Sequence, residues 1–188
     1  MLVINLWGGP GAGKTTIAAE LFVCLRKHTR ANVELTGEFA TDLCFERAKD
    51  NLKDQIYLLG NQWHRLWRLD KTGVDVAISD SPIGIGIPYL RKNKPAYYEQ
   101  YVALVKALYE EYLTTNIMVE RDIYAEGGFK GNKVGKNSGW LMDLDRQIRE
   151  IANPIYTVNF GLTAGTKVCG YVEEIVDAYM EDRYAETR

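Results

Sequence analysis

The chain has 188 residues, 46% of them hydrophobic, which is enough for one substantial core and too few for two. We therefore predict a single domain over residues 1–188. The 23 Lys and Arg against 25 Asp and Glu leave a formal net charge of -2, which excludes a general attraction to polyanions. Because no apolar run approaches the length of a membrane span and no basic leader precedes the first apolar run, we expect a cytoplasmic protein without a membrane partner.

Short apolar runs alternate with segments of helical periodicity along the chain. The predicted strands are residues 2–7, 32–36, 74–79, 116–119 and 155–159. The predicted helices are residues 14–30, 39–50, 53–69, 96–113, 140–151 and 172–184, with a loop or short helix at 83–90. This alternation predicts a three-layer α/β/α fold with a parallel sheet, whose ligands bind at the carboxyl ends of the strands.

Residues 8–15 match the pattern G-x-x-x-x-G-K-[ST] of a phosphate-binding P-loop, between a predicted strand and a predicted helix. Glycines allow backbone N–H groups to point at phosphate oxygens, Lys14 neutralises the β- and γ-phosphates, and the Thr15 hydroxyl binds Mg²⁺. We therefore predict ATP and Mg²⁺ as cofactors, and GTP stays open as the donor. The predicted nucleotide-binding residues are Gly8, Gly9, Pro10, Gly11, Ala12, Gly13, Lys14, Thr15 and Thr16.

Two acidic residues follow predicted strands at the same edge of the sheet. Glu38 follows the second strand, where it can accept a proton from an acceptor hydroxyl. Asp80 ends the third strand, a usual place for a carboxylate that holds Mg²⁺ or acts as the base. The alternatives are a turn or helix-capping role for Asp80 and a solvated loop position for Glu38. Which of the two is the base stays open.

Residues 121–139 are rich in glycine and lysine and contain few apolar residues. We predict that they form a mobile lid, which excludes water and supplies cations to the transferring phosphoryl group. Arg121, where the fourth strand ends, is the first candidate for a catalytic cation. For the lysines of this segment a solvated basic loop is the alternative; they are Lys130, Lys133 and Lys136.

The third predicted helix carries side chains that suit an acceptor with a nucleobase. Gln55, Gln62 and Arg65 are predicted to bind it, since amide groups can pair with the edge of a base. Trp63 and Trp67 on the same helix can stack on a base, but aromatic residues at helical spacing are more often part of the core. Both interpretations of the tryptophans stay open.

The cysteines and histidines give no sign of a metal site. Cys24, Cys44 and Cys169 are far apart in the sequence, and we interpret all three as buried apolar thiols in a reducing compartment. His28 ends a predicted helix and His64 lies beside a tryptophan, and we expect neither to be accompanied by metal ligands. We predict structural roles for both histidines.

Taken together, these features resemble the small P-loop nucleoside and nucleotide kinases. The resemblance rests on the P-loop, the two strand-end segments and the predicted lid, namely residues 8–15, Glu38, Asp80-Ser81-Pro82 and residues 121–139. It implies a P-loop kinase fold, with Glu38 as the base and Gln55 or Gln62 as a ligand of the nucleobase, as in deoxynucleoside kinases. Those enzymes carry Glu-Arg-Ser after the third strand, where this chain has Ser-Asp-Ser-Pro, and this departure points away from a free-nucleoside substrate.

Part of the chain also resembles a narrower group of kinases encoded by bacteriophages. The similar segments are Glu38-Phe39-Ala40, Leu52-Lys53-Asp54-Gln55, residues 63–69 and Ile78-Ser79-Asp80-Ser81-Pro82. Some members of this group phosphorylate 5-hydroxymethyluracil in phage DNA, as a step of thymine hypermodification. The resemblance implies DNA modification in the cytoplasm of a host cell, with the 5-hydroxymethyl group as acceptor and Arg65, Arg68 and the lid lysines as phosphate contacts.

Two other functions compete with this prediction. One is a deoxynucleoside or nucleoside monophosphate kinase that acts on free monomers. The other is a P-loop ATPase switch, in which water is the acceptor. The predicted lid favours a kinase, because a kinase must shield the phosphoryl group from water. The oligomeric state stays open, with a homodimer as one option.

Overall fold

The structure is a computed structural model that describes residues 1–121, 139–161 and 163–186. Within these ranges there are five strands, which are β1 Leu2–Trp7, β2 Val33–Thr36, β3 Val76–Ser79, β4 Leu113–Glu120 and β5 Tyr156–Asn159. The helices there are α1 Lys14–His28, α2 Phe39–Phe45, α3 Gln55–Lys71, α4 Gly86–Arg91, α5 Tyr98–Tyr109, α6 Gly139–Ala152 and α7 Ala164–Glu186. Two 3₁₀ turns are Lys49–Lys53 and Ile83–Ile85. No helix in the described ranges is both long enough and apolar enough to cross a bilayer.

The strands form one parallel sheet with the order β2-β3-β1-β4-β5. Leu2 of the central strand β1 lies opposite Val76 of β3 and Leu113 of β4. All residues of β1 are buried, as expected for a strand that is covered on both faces. Because every strand points the same way, the loops that follow them meet at one edge of the sheet.

Helices cover both faces of this sheet. Leu2, Ile4 and Leu6 of β1 point into a core formed with α1 and α7. Val3 and Trp7 point to the opposite face, where α3, α4, α5 and α6 pack. The predicted three-layer α/β/α architecture with a parallel sheet is therefore confirmed.

Strand β4 begins at Leu113, earlier than the predicted residue 116. The polar Asn116 lies in the middle of this strand, and its side chain makes three hydrogen bonds. Its carbonyl oxygen accepts hydrogen bonds from the Trp7 indole and the Asn5 amide, both at 3.0 Å. Its amide group donates to the Ala152 carbonyl at 2.9 Å. These contacts from other elements, which the local sequence does not reveal, make a polar residue acceptable in a central strand.

The bounds of three helices differ from the prediction by more than two residues at one end. The helix expected at residues 39–50 ends at Phe45, because Arg47 adopts a left-handed backbone with φ of 58°. The helix expected at 96–113 covers a shorter range, since the chain turns after Tyr109 to enter β4. The last helix begins at Ala164 rather than at residue 172, and its Gly165 contributes to packing because a Cβ there would overlap Glu20 of α1.

The cysteines and one histidine differ most from expectation. Cys44 is exposed and Cys24 is only partly buried, so the prediction of three buried thiols was wrong. The buried Cys169 is joined to Cys24 in a disulfide, although 145 residues separate them in sequence. His28 and Glu173 lie beside these two cysteines. The prediction that His28 has no possible metal ligands near it was therefore also wrong. Distance in sequence did not matter, since α1 and α7 pack on the same face of the sheet.

Candidate active site

Four loops meet at the carboxyl edge of the sheet and carry the predicted catalytic groups. The P-loop follows β1, Glu38 follows β2, Asp80 follows β3 and Arg121 follows β4. The charges of Glu38, Asp80 and Arg121 all act on the pKa of Lys14 in the P-loop. The fold thus places the four candidates for catalysis around one point.

The P-loop has a backbone that requires glycine. Gly11 and Gly13 have φ of 76° and 93°, and Gly8 has φ of 153°. A Cβ on Gly8 would come within 2.6 Å of the Val119 carbonyl oxygen, and one on Gly13 would overlap the Phe160 ring. Gly13 directly precedes the first turn of α1, whose free N–H groups face the loop. The loop therefore has the backbone and the dipole of an anion cradle.

We predict that Gly13→Ala is strongly destabilising and removes nucleotide binding. The left-handed backbone and the collision with Phe160 together cost about 2–4 kcal/mol. Gly73 is a matched control, because it has a similar φ of 78° but a Cβ added there would meet no atom within 4 Å. Gly73→Ala should cost only about 1–2 kcal/mol and leave nucleotide binding intact. Denaturant unfolding with and without ATP checks this, and equal losses in the two variants would contradict it.

Lys14 is the cation of this cradle. Its Nζ donates to the Gly9 carbonyl at 3.3 Å. Desolvation by burial lowers the pKa of Lys14, while the charges of Glu38, Asp80 and Asp145 act in the opposite direction. A cation that is partly withdrawn from water interacts more strongly with an incoming phosphate than one in bulk solvent.

Thr15 and Asp80 form a pair that fits a magnesium ion. The Thr15 hydroxyl donates to Asp80 Oδ2 at 2.7 Å. Asp80 is only 4% exposed, and its buried Oδ1 has no hydrogen-bond partner among the described residues. Burial raises the pKa of Asp80, against the effect of the Thr15 hydrogen bond. A hydroxyl and a carboxylate oxygen with a free lone pair are the hard ligands that Mg²⁺ prefers.

Arg121 is held by an acid that the sequence analysis did not single out. Its guanidinium donates to both carboxylate oxygens of Asp145 on α6, at 2.8 and 3.0 Å. The backbone N–H of Gly9 in the P-loop donates to the same carboxylate at 3.1 Å. Asp145 therefore positions Arg121 beside the phosphate cradle. The signal in the sequence was an acid early in the helix that follows the predicted lid.

Two cavities open at this edge and share a wall. The P-loop cavity, about 420 Å³, is formed by the loop glycines with Lys14, Thr15 and Thr16. The α3 cavity, about 430 Å³, extends from there between α2, α3 and α4. The residues that line both cavities are Pro10, Glu38, Thr41, Ile85 and Tyr89. Glu38 therefore lies where a group in one cavity meets a group in the other.

Glu38 is fixed in this shared wall by its place in the chain. It immediately precedes α2, and its Oε2 accepts a hydrogen bond from the Thr41 hydroxyl at 2.9 Å. Tyr89, which the sequence analysis missed because it lies in a segment of undecided structure, stands on the other side. Burial, together with the charges of Glu38 and Asp145, raises the pKa of Tyr89 to about 12. Tyr89 is thus a neutral hydrogen-bond donor at physiological pH.

The two predicted glutamines reach the wall of the α3 cavity. Both are buried, and the other lining groups are mainly apolar. The Gln55 amide donates to the Leu52 carbonyl at 2.8 Å. The Gln62 side chain accepts from the Phe39 N–H at 3.4 Å and donates to the Thr36 hydroxyl at 3.5 Å. These bonds hold both amides in place beside the cavity.

Arg65 does not line either cavity. Its guanidinium donates to the Gly37 carbonyl at 3.0 Å, pairs with the Asp42 carboxylate and stands over the Phe39 ring, 5.4 Å from its centre. These contacts tie the loop of Glu38 and helix α2 to α3. In this structure Arg65 supports the cavity wall and does not face the cavity.

The tryptophans of α3 also lie away from the cavities. Trp63 packs against Tyr112, and Trp67 stacks with His64. The tryptophan that lines the α3 cavity is Trp140, at the start of α6. The predicted lid lysines, Lys130, Lys133 and Lys136, lie outside the described residues.

A P-loop at the central strand and catalytic candidates after the neighbouring strands define this as a P-loop kinase fold. No protein-family profile and no curated protein matches the sequence. Among solved structures, the chain is similar to the crystal structure of APE1195, with a TM-score of 0.56, 23% identity, and coverage of 94% of this chain and 95% of that one. It is also similar to thymidylate kinase from Ehrlichia chaffeensis, with a TM-score of 0.53, 14% identity, and coverage of 93% and 98%. At these identities the similarity establishes the fold.

Proposed function

We propose that the protein is an ATP-dependent kinase that transfers the γ-phosphoryl group to a hydroxyl of a nucleobase- or nucleoside-type acceptor. The observation that carries this proposal is the position of Glu38 in the wall shared by the P-loop cavity and the α3 cavity. A donor phosphate in the first cavity and an acceptor hydroxyl in the second meet at this carboxylate. Such an arrangement suits direct transfer between two bound substrates.

Each residue of the site has a role in this reaction. ATP with Mg²⁺ supplies the phosphoryl group; the acceptor oxygen bonds to the γ-phosphorus and the bond to the β–γ bridging oxygen breaks. Glu38 accepts the hydroxyl proton, and Lys14 and Arg121 stabilise the negative charge on the transferring group. Thr15 and Asp80 hold the metal ion. We assign the base, which the sequence left open, to Glu38, because Glu38 lines both cavities whereas Asp80 lines neither and is bonded to Thr15.

A hydroxyl acceptor fits the α3 cavity better than a phosphate acceptor. The name of the thymidylate kinase neighbour refers to a nucleotide, whose phosphate would be the acceptor. No lysine or arginine lines the α3 cavity among the described residues, and Glu38 would repel a second anion. A hydroxyl, in contrast, needs a base such as Glu38.

Within this class, we propose the 5-hydroxymethyl group of 5-hydroxymethyluracil in phage DNA as the acceptor. The support is the resemblance to phage-encoded kinases and a cavity of mixed apolar and amide character, which suits a single base rotated out of a strand. A free deoxynucleoside is the alternative, because a volume of about 430 Å³ also suits a small molecule. A P-loop ATPase switch would leave the α3 cavity without a ligand.

An acceptor panel with γ-labelled ATP tests this proposal. The acceptors are DNA with 5-hydroxymethyluracil, the same DNA with thymine, the two free nucleosides and a nucleoside monophosphate. Label in the hydroxymethyluracil DNA alone supports the DNA substrate, whereas label in the nucleosides alone replaces it with the monomer alternative. Label confined to the monophosphate would overturn the hydroxyl acceptor.

We predict that Gln55→Leu raises the KM for the acceptor and leaves the KM for ATP unchanged. Loss of one amide that pairs with a base costs about 1–3 kcal/mol, which corresponds to about 5- to 150-fold in KM. Asn61→Leu on the same helix is the control, because Asn61 bonds to the Tyr57 carbonyl and does not line the cavity. Steady-state kinetics with each substrate varied separately decide this, and a rise in the KM for ATP in the Gln55 variant would argue against the assignment.

A further inference from the structure

Helices α1 and α7 bring four metal-binding side chains to one point, away from the kinase site. Cys24 and His28 are four residues apart on α1, and Cys169 and Glu173 are four residues apart on α7. Residues with this spacing lie on one face of a helix, so each helix presents a pair to the other. The helices can approach closely here because Gly165 has no Cβ, an atom that would overlap Glu20 of α1.

The donor atoms of these four residues converge. All of them lie within 4.8 Å of one another. Glu173 Oε1 is 3.3 Å from each of the sulfurs of Cys24 and Cys169 and 2.5 Å from His28 Nδ1. Cys24 Sγ is 3.5 Å from the same imidazole nitrogen. In a tetrahedral zinc site, ligand atoms at about 2.0–2.3 Å from the metal are about 3.3–3.8 Å from each other. The three contacts of a sulfur with the Glu173 oxygen or the His28 nitrogen match this spacing, whereas the two sulfurs are bonded to each other in this structure.

We propose that Cys24, His28, Cys169 and Glu173 form a zinc-binding site. Two thiolates and an imidazole are ligands for Zn²⁺ and not for the Mg²⁺ of the kinase site, and four protein ligands complete a structural zinc site. In this structure the two sulfurs are joined in a disulfide and His28 pairs with Glu173, and all four donor atoms lie within 4.8 Å of one another, close enough for one ion to replace both contacts. Zinc binding needs the disulfide to be reduced by thiol–disulfide exchange with a thiol reductant, which supplies two electrons and is itself oxidised to a disulfide. Each of the two cysteine thiols then releases its proton to solvent as the zinc–sulfur bond forms.

The site is accessible and separate from the reaction. The side chains of His28 and Glu173 are 59% and 30% exposed, so an ion can enter from solvent. Cys24 lies ten residues along α1 from Lys14, about 15 Å at 1.5 Å per residue. A zinc ion here would link α7 to α1, the helix that begins at the P-loop. Its role would be to stabilise the packing of these two helices and not to take part in catalysis.

Titration of the reduced full-length protein with Co²⁺ and then Zn²⁺ tests this proposal. We expect one Co²⁺ per chain, with thiolate charge-transfer bands and the intense visible bands of tetrahedral cobalt, both of which Zn²⁺ removes. Zinc at roughly 100 times its Kd should raise the Tm by about 5–10 °C. Lys14→Ala should bind cobalt like the wild type, so the outcome does not depend on the kinase assignment.

Variants locate the ion. Cys169→Ser should weaken cobalt binding by more than the roughly 10–100-fold that loss of an outer-shell partner costs, and remove part of the charge-transfer band. His28→Ala should also weaken cobalt binding. Because His28 is exposed, this variant can replace Cys169→Ser in the test if Cys169→Ser does not fold. Cys44→Ser is the matched control, because Cys44 is exposed and outside the cluster, and its spectrum should equal that of the wild type.

Three results would overturn the proposal. The first is a reduced wild-type protein that gives no tetrahedral cobalt spectrum. The second is a Cys44→Ser variant that loses the spectrum as fully as Cys169→Ser. The third is a thiol titration in reducing buffer that finds Cys44 alone reactive, because Cys24 and Cys169 would then be a permanent disulfide.

Discussion

Replacing Lys14 by alanine is expected to lower phosphoryl transfer by about 10²–10³-fold or more. The ammonium group lies among the carboxylates of Glu38, Asp80 and Asp145 and has the P-loop backbone on its other side. In the proposed reaction its charge would stabilise the negative charge that is spread over the oxygens of the transferring phosphoryl group. Single-turnover measurements with saturating ATP and acceptor would give the loss in the chemical step.

The same substitution should not unfold the protein. Desolvation lowers the pKa of Lys14 below its value in the unfolded chain, so the charged form is destabilised by folding at neutral pH. That penalty is present below the folded-state pKa and disappears as the pH rises to the unfolded-state value. Lys14→Met, which keeps the apolar stem and removes the charge, should therefore melt no lower than the wild type without nucleotide. A large fall in Tm, or full activity in either variant, would contradict the role assigned to Lys14.

Replacing Glu38 by glutamine is expected to lower kcat by about 10²–10⁴-fold, the usual contribution of a general base. The amide keeps the shape of the side chain and can still accept the hydrogen bond from Thr41, so the wall of the two cavities stays intact. Nucleotide affinity should therefore be unchanged. Binding of an ATP analogue, measured by calorimetry beside the kinetics, separates loss of the base from loss of the site.

Asp80→Asn provides the contrast to this variant. Asp80 is hydrogen-bonded to the predicted metal-binding hydroxyl of Thr15, so loss of its carboxylate should weaken Mg²⁺ binding. A high magnesium concentration should therefore restore part of the activity of Asp80→Asn. No magnesium concentration should rescue Glu38→Gln. In the metal-free protein burial raises the pKa of Asp80, so acidification should begin to weaken Mg²⁺ binding at a higher pH than for an ordinary aspartate. Rescue of both variants by magnesium would contradict the division of roles.

The fold was accessible from the sequence because its main signals are local. The six buried residues of β1, the glycines of the P-loop and the apolar face of α3 are each encoded within one short segment. The positions of Glu38 and Asp80 followed from a single rule, that parallel strands end at one edge. The positions of the P-loop and of the two acids could therefore be predicted without a structure, while the roles that we propose for the acids rest on the cavity lining and on the Thr15–Asp80 hydrogen bond.

The remaining parts of the site depend on contacts between distant segments. Asp145 has no local signal apart from its place in a helix, and its role is visible only because α6 packs beside the P-loop. Arg65 has the chemistry of a substrate ligand, but Asp42 and Gly37 occupy its guanidinium. The convergence of Cys24 and Cys169 needs the packing of α1 on α7. Side-chain chemistry alone could not place these groups.

The most direct test of the central claim is the fate of the γ-phosphate. With γ-labelled ATP, Mg²⁺ and a hydroxymethylated-base acceptor, we would measure ADP, labelled acceptor and labelled inorganic phosphate in the same samples. The kinase account predicts that labelled acceptor forms in step with ADP, with little inorganic phosphate, and that both fall together in Glu38→Gln. ADP formed with all label in inorganic phosphate, whichever acceptor is present, would contradict it and identify water as the acceptor.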